Sequence, residues 1–454
     1  MMKYNFDGIT GELVTRRSSS YNVDREIWNR SIQRFPIAIV YCFKKIDVVN
    51  AICWSRRNDV DIRVRTGGHN YEGYSIGNDI LVIDISKMDN IYIYEEKGII
   101  KVDGGVSNFH IYESLGVRGY PFPGGSCLTV GVAGYAQGGG WGFSSRIFGL
   151  GCDSLKEVEI INYKGETIIA NQYCNSDLFW ALRGAGGGNF GIIVSMTFSL
   201  PPKINKVTLL SINYDELPLE EEVEIFDILQ NMFPNLDRRI NFRVSFFNSE
   251  EDGRGIYIIG LFYGREEEAL EIIKPLIDIN SSVKIKIEYI TFLEATRKIG
   301  SIYAPYEKFK STGGFVYKKY SKSELVRILQ YIRMRPAGSV YIAVTLYGLG
   351  GAVNDKDKNS TAFYYRGCQY ILGIQTVWEE DNYQEVNEEW FKEQFEIMKG
   401  FFIGSYVNFP YSDIKNYEIR YYGNHVKRLR RIKNKYDPFN IFKFQQSIKG
   451  YLED

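Results

Sequence analysis

The sequence predicts a two-domain α+β protein. Three features carry that reading. At 454 residues the chain is longer than a single hydrophobic core usually serves. Strand-like and helix-like stretches interleave without the strict β-α-β alternation of a parallel sheet. The chain also changes character at Pro201-Pro202: glycine-rich turns cluster before it, and strands with intervening helices but no glycine cradle follow over 203–409.

The elements follow in order. Residues 21–34 carry a helical pattern closed by Pro36, which cannot continue a helix. An apolar β-like run at 38–42 precedes a helix over 46–58, whose apolar residues recur on one face. Residues 61–66 alternate as a strand and run into Gly67-Gly68-His69; 80–85 and 98–102 read as further strands. A short helix at 109–116 leads into the glycine-rich stretch 121–151. Strands are expected at 158–162, 167–170 and 192–199, with a helical turn at 177–182 and a second glycine-rich turn at 183–191. In 203–409, strands at 207–213, 241–247, 255–263, 284–289, 340–347 and 370–377 alternate with helices at 219–233, 265–277, 323–334 and 383–400. That pattern is an antiparallel sheet backed by helices. A basic segment at 421–442 ends in a turn at Asp437-Pro438.

Composition excludes several function classes. Lys and Arg total 55 against 55 Asp and Glu, so no excess charge suits a general nucleic-acid binder. No 18-residue apolar run suggests a membrane span, and the first residues lack the apolar core of a secretory signal, which predicts a soluble cytoplasmic protein. The six cysteines form no Cys-x-x-Cys pair and no metal-type spacing with His69, His110 and His425, so no metal is expected. With 34 Tyr and 28 Phe, aromatic walls for a planar or sugar-like ligand are available.

The chemistry concentrates in the glycine runs. Glycine lets backbone approach a ligand within hydrogen-bonding distance, and successive N–H groups can wrap a pyrophosphate. The bulky Val132, Tyr135, Trp141 and Phe143 make 121–151 a packed cradle rather than a linker. His69 and Cys127 each sit inside such a turn. Two arrangements fit them, a hydrolytic Cys–His pair or attachment of both to a cofactor, whereas a zinc site needs more ligands than are on offer. The 183–191 turn has Asn189 where a dinucleotide fingerprint needs glycine, so a nicotinamide site is not indicated.

RTGGHNYEGYS, PGGSCLTVGVAGYAQGGGWG, RGAGGGNFGI and KYDPFNIF together resemble the berberine bridge enzyme-like family of FAD-linked oxidases, of the vanillyl-alcohol oxidase class. The resemblance implies a PCMH-type FAD-binding domain over 1–202, with 410–454 returning onto it, and a substrate domain over 203–409. It implies covalent FAD attached twice, through a ring nitrogen of His69 to the 8α-methyl and through the sulfur of Cys127 to C6. Further cofactor contacts fall on Arg65, Thr66, Gly67, Gly68, Asn70, Gly125, Thr129, Val130, Gly131, Gly134, Gly142, Gly191, Ile193, Tyr422 and Asn424. Val130 is the residue the family associates with reactivity toward O2, and its small size leaves room beside the flavin.

The implied reaction takes hydride from an alcohol or carbohydrate-like small molecule to flavin N5 and returns the electrons to O2 as H2O2. Tyr406 and Tyr71 match catalytic or substrate-contacting tyrosines. The family's Tyr-x-Asn-Tyr motif reads Tyr406-Val407-Asn408-Phe409 here, and Phe148 stands where plant relatives carry an active-site tyrosine. These departures favour a less polar pocket. They keep two alternatives open: an oxidase of a polyketide, amine or aminosugar, and a flavin-holding protein with little turnover. Neither nucleic acid nor membrane is an expected partner.

Overall fold

The computed structural model describes residues 4–450. Three sheets organise the chain, and each forms where its alternation demands. The first contains β1 (Glu12–Thr15), β2 (Ala38–Tyr41), β3 (Ile62–Arg65) and β4 (Leu81–Asp84), in the order β1-β2-β4-β3. Its β2, β3 and β4 run parallel, and the helix Lys45–Arg57 connects β2 to β3 as such a crossover requires. The second holds β5 (Ile91–Tyr94), β6 (Ile99–Asp103), β7 (Leu155–Ile161), β8 (Thr167–Asn171) and β9 (Ile192–Ser199), in the order β5-β6-β9-β7-β8. Between β6 and β7 the glycine-rich stretch packs as irregular backbone around two short helices, Val132–Gln137 and Ser145–Phe148.

The third sheet is antiparallel and seven-stranded. It comprises β10 (Lys206–Asp215), β11 (Ile240–Ser249), β12 (Gly253–Phe262), β13 (Lys284–Thr291), β14 (Lys308–Val316), β15 (Ser339–Gly348) and β16 (Tyr370–Trp378). Their order is β13-β10-β12-β11-β15-β16-β14. Central β11 shows why it forms: Ile240, Phe242, Val244 and Phe246 are buried on one face, with Phe246 stacked on Phe226 of helix Leu219–Met232. The alternate residues Arg243, Ser245 and Phe247 face a large cavity. One continuous core joins this sheet to the glycine-rich stretch and the second sheet, while the first sheet has a smaller core around Val40, Ile52, Trp54 and Leu81.

The α+β class and the antiparallel sheet backed by helices agree with the sequence. The helix expected over 21–34 is reduced to one turn, Tyr21–Asp24. Tertiary bonds replace it: Trp28 N donates to Gly68 O, Arg30 N to Glu307 O, and the buried Asn29 amide to Tyr71 O and Phe309 O. Strands β1, β5 and β14 and the helix Phe292–Gly300 have no counterpart in the sequence reading. In β14 the pair Gly313-Gly314 hides a strand that only its neighbours stabilise, because a Cβ on Gly313 would meet the Leu372 carbonyl at 2.8 Å. Among the described residues, no helix is long and apolar enough to cross a membrane.

Candidate active site

The first sheet delivers the histidine. At the end of β3, Arg65 is buried in an ion pair with Asp84, its register partner on β4, and it also donates to Asp24 O at 2.6 Å. The chain then turns through Gly67 and Gly68 to His69. The cysteine arrives from the glycine-rich stretch, and the two loops lie backbone against backbone. A Cβ on Gly67 would stand 2.6 Å from Thr129 O, and one on Gly131 would stand 2.5 Å from Thr66 Cγ2. Both positions therefore require glycine.

This contact brings His69 and Cys127 together. His69 Nε2 lies 2.8 Å from Thr129 Oγ1, and Cys127 Sγ lies 3.5 Å from the same oxygen. Trp28 stacks on the imidazole with ring centres 5.3 Å apart. Burial lowers the His69 value to about 4, so the ring is neutral at pH 7.

His69 and Cys127 open into one cavity of about 1340 Å³, larger than a pocket for one small ligand generally is. Thr66, Gly67, Gly68, Asn70, Tyr71, Gly125, Val130, Gly131, Gly134, Tyr406 and Tyr422 also line it. Parts of the wall are bare backbone: a Cβ on Gly134 would meet no atom within 4 Å, and one on Gly188 would meet only Phe444, at 3.6 Å. Open volume against peptide backbone, beside a neutral imidazole and a thiol, fits an elongated dinucleotide with a reactive ring at one end.

The C-terminal segment closes the other side. Lys433, fully buried, donates to Asn189 O, Asp437 and Phe442 O at 2.6–2.7 Å, and Asn189 Oδ1 accepts from Ile448 N. Asn189, which breaks the dinucleotide fingerprint, is thus the tie between the second glycine turn and the returning chain.

Several expected cofactor contacts lie elsewhere. Arg65 is committed to Asp84, and the cavity is reached instead by Arg63 two residues earlier, whose Nε has no partner. Gly142 lies outside the cavity lining, its N–H given to Ser145 Oγ. Gly191 packs on the Ile161 carbonyl and Ile193 is buried in β9, both behind the wall. Asn424 is exposed at the surface. Thr129 does not line the cavity but bridges His69 and Cys127.

Tyr406 lines the cavity with its oxygen already engaged. Its oxygen accepts from Gly140 N and Trp141 N at 3.0 and 3.1 Å, with the Asn408 amide also at 3.1 Å. Burial pushes its value up to about 12 against the pull of those bonds. A hydroxyl so engaged ties the cradle to the chain after the third sheet. Tyr71 stacks flat on Phe409, ring centres 5.4 Å apart and 4° from parallel, so the phenylalanine fills the ring position without a hydroxyl. Phe148 packs edge-on against Tyr263 outside the cavity lining, and its lost hydroxyl does not alter the pocket.

Sequence reasoning missed the far wall. Arg243, Tyr303, Glu307, Tyr347 and Gln375 converge on the cavity from separate elements. Glu307 leaves β14 backwards, its backbone bonded to Trp28 and Arg30, and its Oε2 accepts from Gln375 at 3.3 Å. Burial raises its carboxyl from 4.5 to about 7, against the opposing pull of Arg243.

Comparisons with known proteins show the family to which the chain belongs. A family model described as "FAD binding domain" matches residues 36–171, and one described as "Berberine and berberine like" matches residues 405–449. The FAD-linked oxidoreductase YgaK of Bacillus subtilis, itself uncharacterised, is 35% identical over 97% of both chains. The chain belongs to the berberine bridge enzyme-like family. It is an FAD-linked oxidoreductase. Tetrahydroberberine oxidase of Berberis wilsoniae is 27% identical over 97% of this chain and 91% of its own. Among solved structures, BBE-like 1 of Physcomitrella patens superposes with a TM-score of 0.90 at 25% identity over 99% of both chains. A chitooligosaccharide oxidase shares the fold at a TM-score of 0.87 and 22% identity, over 97% of this chain and 98% of its own.

Proposed function

We propose that this oxidoreductase is an oxidase whose FAD is held through both His69 and Cys127, and that it acts on an alcohol or carbohydrate-like donor. The observation that carries this reading is the convergence of His69 Nε2 and Cys127 Sγ on one threonine oxygen. A neutral imidazole is the form with a nucleophilic ring nitrogen, and burial keeps it so. Bound FAD would supply the two-electron acceptor, taking hydride from the donor and passing the electrons to O2 as H2O2.

The chain's own residues supply the rest. The backbone of Thr66–Asn70, Gly131 and Gly134 lines the space for the pyrophosphate, and Arg63 adds charge at that end. Trp28 holds the His69 ring flat. The donor hydroxyl needs a proton acceptor, and Glu307 takes that role in place of Tyr406 and Tyr71. A carboxylate with a value near 7 is poised for general-base work at neutral pH, and Gln375 orients it. Burial holds the Tyr71 hydroxyl far above its ordinary value, so Tyr71 contributes a stacking surface rather than a base. Val130 lines the cavity beside the anchors and leaves the small space O2 needs.

A second reading, oxidation of a less polar secondary metabolite, is favoured by the stack of Tyr71, Phe309 and Phe409 on the wall. Anaerobic mixing with alcohols, mono- and oligosaccharides tests both. The oxidase reading expects a donor that bleaches the flavin and one H2O2 per donor when air is admitted. A flavin that dithionite bleaches and no sugar or simple alcohol does would favour the metabolite. Reduced flavin that persists in air would contradict the oxidase.

A further inference from the structure

Arg243 sits on the cavity face of β11, directly across from Tyr347 on β15. Its Nη1 donates to Tyr303 Oη at 2.5 Å, and Tyr303 Oη lies 2.5 Å from Ser126 Oγ, the residue before Cys127. The guanidinium is thus two hydrogen bonds from the Ser126 side chain, next to Cys127. The other edge of its fork is free. Nε is buried without a partner, and among the described residues Nη2 takes no protein acceptor. No carboxylate of the described residues lies within ion-pair distance of it. Glu307 faces it across the cavity without reaching it.

A guanidinium cannot shed its charge by deprotonating as a lysine can, and a buried cation with no anion is costly. It lines the same cavity as His69 and Cys127. The free Nε–Nη2 edge is the one that pairs side-on with a carboxylate. The hydroxyl of Tyr347, the neighbouring Ser245 and the Tyr341 further along β15 face the same space.

We propose that Arg243 is an anion-recognition residue and that the donor carries a carboxylate, as a hydroxy acid or an acidic sugar does. The proposal rests on the cavity being the donor site of the oxidase proposed above. The donor's carboxylate docks on the free guanidinium edge, which places its hydroxyl toward Glu307 and the two anchors. Neutral donors leave the charge unmatched and bind weakly.

The test does not depend on turnover. Calorimetry on the holoenzyme with sodium benzoate and with benzamide, two planar probes differing in charge, reads the subsite directly. The expected result is at least about tenfold tighter binding of benzoate, a preference that Arg243→Gln abolishes and Arg243→Lys partly keeps. In turnover, Arg243→Gln raises KM for acidic donors and lowers it for neutral ones, so the preference between them narrows or inverts. Equal affinity for the two probes, no benzoate binding at millimolar concentration, or a preference that survives Arg243→Gln each overturns the proposal. A variant that instead changes the flavin spectrum while keeping the preference assigns Arg243 to the cofactor and also overturns it. Failure of the oxidase reading is seen separately, as missing H2O2 from an enzyme that still discriminates the probes.

Discussion

The two walls of the cavity are built on different principles. The cofactor wall is backbone: Gly67 pressed on Thr129, Gly131 on Thr66, and Gly134 and Gly188 facing open volume. The donor wall is side chain: Arg243 and Ser245 from β11, Tyr347 from β15, Gln375 from β16, and Tyr303 and Glu307 from the segment before β14. A backbone wall tolerates almost no substitution at its contacts, because an added Cβ meets peptide atoms that cannot move aside. A side-chain wall can be rewritten one residue at a time while the sheet behind it stays the same. Under the proposed function, the first specifies the cofactor and the second the donor.

Breaking the backbone wall has the largest expected effect. Gly67→Val puts a branched side chain into the Thr129 carbonyl and the Gly131 N–H. It is expected to abolish cofactor loading and cost about 3 kcal/mol or more of stability, read by flavin absorbance and thermal denaturation.

Changing the donor wall is milder and selective. Glu307→Gln is expected to lower the rate of anaerobic flavin reduction by about 10² to 10⁴ and remove the acidic limb near pH 7, with cofactor content unchanged. The same variant has a stability signature. The folded carboxyl titrates at about 7 and the ordinary one at 4.5, so the folded state holds the extra proton between them. Stability therefore falls as pH rises through that window. Glu307→Gln removes the slope, and its melting temperature gains on the parent at pH 8 but not at pH 4.

Two smaller effects sharpen the division. Val130→Leu is expected to slow reoxidation of the reduced flavin by about tenfold, 1.4 kcal/mol of barrier, without changing its reduction by donor. Tyr406→Phe leaves Gly140 N and Trp141 N without their acceptor and is expected to cost about 1–3 kcal/mol of stability. Flavin reduction by donor should survive it, and a loss beyond about a hundredfold would restore Tyr406 as the proton acceptor.

The contrast also explains what was legible in the sequence. The cofactor wall is encoded in short glycine-rich words, where a histidine or cysteine stands out against its neighbours. Local geometry is not encoded there: Arg65 is paired with Asp84, and Asn424 is exposed although its motif neighbour Tyr422 lines the cavity. The donor wall is scattered, with Arg243 and Glu307 separated by most of the third sheet and joined only by the pairing of β11, β15, β16 and β14. Nothing local marks Arg243 as different from any polar residue on the open face of a strand. Residues 21–34 misread as a helix for a related reason, since long-range bonds from Asn29 and Trp28 outweigh the local pattern.

The most direct test of the central claim is the mass of the acid-denatured holoenzyme, compared across His69→Ala, Cys127→Ala and the double variant. Two anchors meeting on Thr129 Oγ1 predict a parent heavier than the bare chain by one FAD. Each single variant should keep that mass through the remaining anchor, and the double variant should lose it. A parent at the bare chain mass after loading with FAD would contradict the account, as would a double variant that still carries the flavin.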